Sequence, residues 1–431
     1  MTIDRKRLAW CALAAIGVLP VAAGAQVSAP PGSELLARGE YLARIGGCAS
    51  CHTMQRDGIP FAGGRALSTP LGPIISTNIT PDPKQGIGRY TFADFERVMR
   101  EGTAPGSRHL YPAMAYTAYT KATDEDLRAL FAYLMHAVPA SDYAPPATKM
   151  PFPFNQRWAL RFWKAAFLSR GTYTENPGRD AEWNRGAYLV QSFGHCGSCH
   201  TPRGMAYQER GYDESAKRFL TGMVNDNWYA SNLTGDRGAG LGRTDARSIA
   251  SFLRTGYADG RFAFGSMAEE VEKSLQHLTP ADAKAIAGYL KSLPARRNEG
   301  GYTASDESAR TLAQGNHTLD VESTGAGVYR SFCAQCHHPD GKGVAGVFPR
   351  LAGNPTLLSE DPTSIVRVVI QGGTSAATAT GPALQAMPGF ASTLTDVQMA
   401  QALTYIRQAW GNDAAPVKTG DVTKLRAALK N

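Results

Sequence analysis

Two cysteines, two residues apart and followed at once by a histidine, occur three times in this chain: CASCH at Cys48–His52, CGSCH at Cys196–His200 and CAQCH at Cys333–His337. On a helical turn, residues i, i+3 and i+4 share one face, so two thiols and an imidazole converge. Three chemistries use paired thiols of this kind. In c-type haem attachment both thiols bond the vinyl groups of one porphyrin and the histidine ligates its iron. A redox dithiol requires neither the histidine nor further copies. A structural zinc site needs two Cys-x-x-Cys pairs converging on one metal, and here the copies lie more than a hundred residues apart. Apart from Cys11, all the cysteines lie in the motifs. None is left for a disulfide framework, and free thiols in an exported chain would oxidise. The residues therefore predict three covalently bound haem c groups, on Cys48/Cys51, Cys196/Cys199 and Cys333/Cys336, with His52, His200 and His337 as axial ligands.

An electron-transfer haem needs a second axial ligand, and methionine there raises the reduction potential. Met114 in HLYPAMAY, Met267 in AFGSMAEE and Met387 in LQAMPGF each stand late in a repeat, in a turn-prone context before a helical pattern. They follow their histidines by 62, 67 and 50 residues. Met99, Met135 and Met399 fall inside helical patterns and read as core. His109 and His195 compete as ligands but lack counterparts in the other repeats, which favours a solvated or hydrogen-bonded role. Pro73 and Pro349 are candidates to set a carbonyl against the proximal imidazole. Arg65, Arg203 and Arg350 read either as partners for haem propionates or as solvent-facing charges.

The elements that must carry these groups also repeat. GEYLARIGG, GAYLVQSFGH and GVYRSF lead into the motifs through a shared Gly-x-Tyr. ATDEDLRALFAYL (122–134), LTPADAKAIAGYL (278–290) and LTDVQMAQALTYI (394–406) close the units. Thr123, Thr279 and Thr395 are their expected N-caps, with Asp126, Asp282 and Gln398 three residues on. The first two units share a further stretch, NITPDPKQGIG and NLTGDRGAGLG. The expected fold is mainly α: three tandem class I cytochrome c-like domains at 33–145, 180–298 and 320–412, each a few helices around one haem. Residues 146–179 link the first two. Trp158, Phe162, Trp163 and Phe167 there stand at helical spacing, and read as a helix packed on its own units or as a docking surface. Segment 299–319 reads as an exposed polar linker and 413–431 as a tail.

Residues 1–25 resemble a secretory signal, with Arg5, Lys6 and Arg7 before a short apolar run and Ala23-Gly24-Ala25 as a cleavage site. An exported protein at the periplasmic face of the cell membrane, peripherally held, is expected. The formal charge of +8 falls to about +6 without Asp4, Arg5, Lys6 and Arg7. Cations are scattered rather than clustered, which argues against nucleic acid.

With HLYPAMAY, NPGRDAEWNRGAYLV, GLGRTDARSIASFL, FPRLAGNP and MPGF followed by LTYIRQAWGN, nearly the whole mature chain resembles the tri-haem cytochrome c subunit of bacterial membrane-bound dehydrogenases of the alcohol, gluconate, fructose, sorbitol and aldehyde type. The resemblance implies iron ligand pairs His52/Met114, His200/Met267 and His337/Met387. It implies a catalytic subunit carrying flavin, pyrroloquinoline quinone or molybdopterin, a small third subunit, and delivery of electrons to ubiquinone or a terminal oxidase. Such a chain has no catalytic residues of its own. Ala115 departs from the family, which usually places proline after the methionine. The rival functions are a haem peroxidase, which needs an open sixth site, and a free-standing periplasmic electron shuttle or oxidase subunit.

Overall fold

The structure is a computed structural model that describes residues 32–54, 57–305 and 324–430. The expected secretory signal lies outside these residues. The described chain is mainly helical, with its strands in six two-stranded ribbons. No described helix is long and apolar enough to cross a membrane.

The three closing helices form at Asp124–His136, Pro280–Ser292 and Asp396–Gln408. Each starts at the expected threonine, whose hydroxyl accepts the N–H of Asp126, Asp282 or Gln398. That satisfies one of the free amides of the first turn. Apolar residues three and four apart then face inward: Leu127, Leu130 and Leu134; Ala283, Ile286 and Leu290; Met399, Leu403 and Ile406. Leading helices Ser33–Ile45, Ala181–Gln191 and Gly325–Phe332 cross them. The crossings are close because one glycine faces each partner backbone. A β-carbon on Gly39 would overlap the carbonyl oxygen of Ala129, on Gly186 that of Ala285, and on Gly325 that of Gln401.

This packing corrects the alignment of the third leading helix. Gly325, not Gly327, occupies the place of Gly39 and Gly186, so Tyr329 sits two residues further along than Tyr41 and Tyr188. Two residues turn a helix by about 200°, and the tyrosine changes sides. Tyr41 donates to Asp282 Oδ2 at 2.5 Å and Tyr188 to Asp126 Oδ2 at 2.5 Å, each reaching the closing helix of the other unit. Each hydroxyl oxygen also accepts the N–H of that helix's capping threonine, at 3.4 Å for Thr279 and 3.2 Å for Thr123. The incoming tyrosine thus does what the aspartate would do in a capping box. Arg185 grips Asp282 from its own unit at 2.8 and 2.8 Å, and Arg38 binds Asp126 at 2.7 Å. Tyr329 instead lies fully buried against Tyr405 and Trp410 and donates to the His338 carbonyl at 2.6 Å. In that unit the box closes normally, with Gln398 accepting the Thr395 N–H at 2.9 Å.

The burial follows this division. One buried cluster runs through the first two units, including Leu42, Leu130, Tyr188, Phe193 and Leu290. A second, including Val328, Tyr329, Ile365, Leu403 and Trp410, belongs to the third.

Segment 299–319 is exposed at Gly300 and Thr303–Ser305, yet it is tied to the fold. Gly301–Tyr302 pairs with Asn412–Asp413, and Glu299 is buried. The expected tail also packs on the third unit over its described residues, 413–430. Thr419–Ala428 forms a helix whose Val422 and Leu425 are buried, while Arg426 binds Asp396 at 2.7 Å.

Burial alone would raise the Asp282 carboxyl, but the bonds from Arg185 and Tyr41 outweigh it and hold the group below its usual range. A depressed carboxyl adds stability that is present above its unfolded pKa and lost as pH falls through the folded one. Thermal unfolding should therefore show Asp282→Asn destabilised by about 2 kcal/mol at neutral pH. The gap between parent and variant should close below roughly pH 4. A gap independent of pH would contradict the assignment.

Candidate functional site

Each Cys-x-x-Cys-His stretch is one helical turn, spanning Cys48–Cys51, Gly197–His200 and Ala334–His337. In each, the histidine N–H donates to the carbonyl of the first cysteine at 2.9 Å. That i to i+4 bond sets the first thiol and the imidazole on one side of the turn. The described cysteines, all in the motifs, are unpaired. Burial pushes the thiols of Cys48, Cys196 and Cys333 up to about 12. A redox dithiol depends on a lowered thiol pKa, so the environment runs against that chemistry. Among the described residues no cluster of three or more His, Cys, Asp or Glu side chains could hold a metal ion.

The imidazoles share one further contact. Nδ1 of His52 meets the Thr77 carbonyl at 2.7 Å, that of His200 the Ser231 carbonyl at 2.6 Å, and that of His337 the Pro349 carbonyl at 2.9 Å. A carbonyl can only accept, so Nδ1 carries the proton and Nε2 keeps its lone pair for a metal. Burial, against the opposing effect of these carbonyls, lowers each imidazole pKa and favours the neutral, ligating form. This corrects one expectation. Pro349 does supply its carbonyl, but in the first unit the donor's partner is Thr77, not Pro73.

A glycine that sequence reasoning missed completes each arrangement. Gly63, Gly222 and Gly343 donate to the carbonyl of His52, His200 and His337 at 2.7, 2.7 and 3.1 Å. All three adopt positive φ, at 78°, 89° and 62°. A β-carbon on Gly63 or Gly343 would press on the carbonyl that holds the imidazole. At Gly222 it would press on Tyr229 and on the carbonyl of Ala230, next to Ser231. These glycines follow their histidines by 11, 22 and 6 residues, so no fixed spacing could have found them.

The shared Asn-x-Thr positions the carbonyl in the first two units. Asn78 Oδ1 accepts the N–H and hydroxyl of Thr80 at 2.9 and 2.8 Å, and Asn232 Oδ1 those of Thr234 at 2.9 and 2.8 Å. Asn78 Nδ2 donates to the carbonyls of Ser141 and Tyr143, whereas Asn232 Nδ2 donates to Asp236, which also accepts the amides of Arg296 and Arg297. Both loops are thereby tied to the segment after their closing helix.

The methionines lie on different elements. Met114 stands in a turn before the helix Tyr116–Tyr119, and Ala115 is that helix's N-cap. Met267 is not in a loop but in the first turn of the helix Ser266–Lys273, and Met387 lies on a short strand paired with Gly373. All three are half-buried, while Met99 and Met399 are buried within helices. Arg65 and Arg203 fold back on their motifs, donating to the Ser50 and Ser198 carbonyls at 2.7 and 2.6 Å, and meet Glu269 and Glu209. His195 faces the Gly46 carbonyl at 3.4 Å, beside Tyr119.

The first two motifs adjoin. Glu270 raises the thiol pKa of both Cys196 and Cys199, and Cys51 is near enough to add to the Cys199 shift. The loop at Pro349 leans on the second unit, where the Arg350 N–H donates to Gly260 at 2.8 Å. Unpaired thiols on one turn with a neutral, oriented imidazole are the donor set that covalent haem requires, so these residues fit the group.

The family model for cytochrome c matches residues 36–137 and 323–410. The chain is 44% identical over 399 residues to the alcohol dehydrogenase (quinone) cytochrome c subunit of Komagataeibacter europaeus, covering 91% of this chain and 84% of that one. It is 42% identical over 418 residues to the gluconate 2-dehydrogenase cytochrome c subunit of Pantoea cypripedii, covering 95% and 93%. It is 38% identical over 412 residues to the fructose dehydrogenase cytochrome subunit of Gluconobacter japonicus, covering 92% and 83%.

Asn232→Ala removes buried hydrogen bonds at the loop beneath His200. It should cost about 2 kcal/mol in thermal or denaturant unfolding. Thr234→Val, which keeps the backbone bond to Asn232, should cost less. Equal losses would show that the asparagine does not organise the loop.

Proposed function

Because this chain belongs to the family of cytochrome c subunits of dehydrogenases, we propose that it carries three covalent haem c groups and passes electrons from a partner catalytic subunit to ubiquinone or a terminal respiratory acceptor. The observation that carries the reading is the threefold recurrence of one arrangement: free thiols on a turn and an imidazole held at Nδ1 by a backbone carbonyl. When bound, the haems supply reversible one-electron chemistry. The chain's part is to hold and insulate them. Cys48 and Cys51, Cys196 and Cys199, and Cys333 and Cys336 anchor one haem each. His52, His200 and His337 would hold the irons through Nε2, and Met114, Met267 and Met387 would supply the second ligands, which would raise the potentials. We assign one haem to each of the stretches 33–145, 180–298 and 320–412.

The partner oxidises an alcohol, sugar, sugar acid or aldehyde with a flavin, pyrroloquinoline quinone or molybdopterin cofactor. The cytochrome chain itself carries out no substrate chemistry and works at the periplasmic face of the membrane, after removal of residues 1–25. The adjoining first and second motifs support rapid exchange between two haems, and the lean of the Pro349 loop on the second unit supports a relay in which that unit lies between the other two.

Replacing Met387 by alanine tests the ligand assignment. The far-red methionine-to-iron band should fall by about a third, and one haem should move to a lower potential. The catalytic subunit with its substrate should still reduce the remaining haems. An unchanged spectrum and potential would remove Met387 from the iron. A high-spin haem in the parent with rapid peroxide turnover would instead favour a peroxidase.

A further inference from the structure

The segment between the first two units leaves an aromatic face uncovered. Arg157–Ala159 and the helix Leu160–Phe167 dock on the first unit through Lys164, whose buried ammonium donates to the Glu101 and Gly102 carbonyls and to Thr103 Oγ1 at 2.8, 3.2 and 2.7 Å. Trp163 packs edge-on to Tyr116 and donates to the Ala206 carbonyl at 2.8 Å. These contacts fix the helix and turn its other side outward. Phe152 is 79% exposed, Trp158 57% and Phe162 58%. Trp158 and Phe162 meet edge to face with centroids 6.2 Å apart, and fully exposed Met205 neighbours the Trp163 contact. Large aromatic side chains left in water at such density mark a contact surface.

The charge pattern says what the surface meets. From residue 143 to residue 174 there is no acidic side chain, yet there are Lys149, Arg157, Arg161, Lys164 and Arg170. Arg161 lies over the Phe162 ring at 4.6 Å and Arg157 over the Tyr111 ring at 4.3 Å. Arg108 crowds Arg157 from the neighbouring ribbon, and Arg170, at the far end, approaches Glu101 at 3.9 Å. Aromatic rings with arginines and lysines beside them match the boundary between acyl chains and anionic headgroups, where rings sink and cations reach for phosphate. The helix Thr419–Ala428, by contrast, turns its Val422 and Leu425 into the third unit.

We propose that the face formed by Phe152, Trp158 and Phe162, with Lys149, Arg157 and Arg161, seats this protein on an anionic lipid bilayer. The proposal rests on the reading of a peripheral membrane protein and names the surface responsible. Exposed aromatics would partition a few ångströms into the bilayer, and the cations would strengthen binding at low salt.

The test is co-sedimentation of the mature, haem-loaded protein with vesicles of phosphatidylglycerol and phosphatidylethanolamine in a 1:3 ratio, or of phosphatidylcholine alone, followed by Soret absorbance of the pellet. Binding should be strong on the first and weak on the second, and should weaken with salt. Trp158→Ala/Phe162→Ala should reduce binding roughly tenfold or more with the visible spectrum and melting temperature unchanged. Lys149→Gln/Arg161→Gln should flatten the salt dependence. If the aromatic double variant sediments as the parent does, the proposal is overturned. It is equally overturned if that variant binds vesicles normally and loses only its co-purification with the catalytic subunit, which would make the face a protein interface. Reduction of the haems by the catalytic subunit and its substrate, assayed in detergent without vesicles, tests the electron-transfer reading separately.

Discussion

The arrangement depends on a backbone carbonyl facing each motif histidine. That single bond fixes the tautomer, orients the ring and leaves Nε2 as the free donor. Three unrelated residues, Thr77, Ser231 and Pro349, provide it at 2.6 to 2.9 Å. In the first and third units a glycine with positive φ, Gly63 or Gly343, leaves room for that carbonyl, and in the second Gly222 leaves room for its neighbours Tyr229 and Ala230. In the first two units the carbonyl is held by a buried Asn-x-Thr, and that asparagine is tied to the chain after the closing helix. The chemistry of the motif is therefore coupled to the packing of the unit that carries it.

The same logic explains why the units associate unequally. Leading and closing helices cross at a glycine in all three. In the first two, a tyrosine two residues beyond that glycine reaches across to the other unit's closing helix and takes over part of its cap. The exchange is reciprocal, so neither unit buries its core alone. In the third unit the tyrosine is displaced by two residues and turns inward onto Trp410. That unit completes its own capping box, and meets the second through loops and through the helix Thr363–Gln371, whose Ser364 bonds the Tyr229 backbone. The tyrosine exchange joins the same two units whose motifs adjoin.

Much of this was legible in the residues. The motifs state their own geometry, because Cys-x-x-Cys-His on one turn allows little else. The closing helices were legible from a capping threonine and apolar residues three and four apart, which are local signals. What was not legible depended on distant parts of the chain. The register of Gly325 against Gln401 is set by helix crossing, not by the Gly-x-Tyr pattern. The glycines beneath the histidines follow at 11, 22 and 6 residues, since each intervening loop has its own length. Thr77 rather than Pro73 faces His52 because a carbonyl carries no signature of its side chain. The 299–305 stretch looked like a linker by composition, but its backbone pairs with residues brought close only by the fold.

The central claim is that each of the three turns holds a haem. Intact mass spectrometry of the exported protein, with the signal segment removed, measures this directly. The account predicts one species heavier than the mature polypeptide by three haem groups, falling to two when Cys333 and Cys336 are both replaced by alanine. A parent chain carrying two haems or fewer would contradict it.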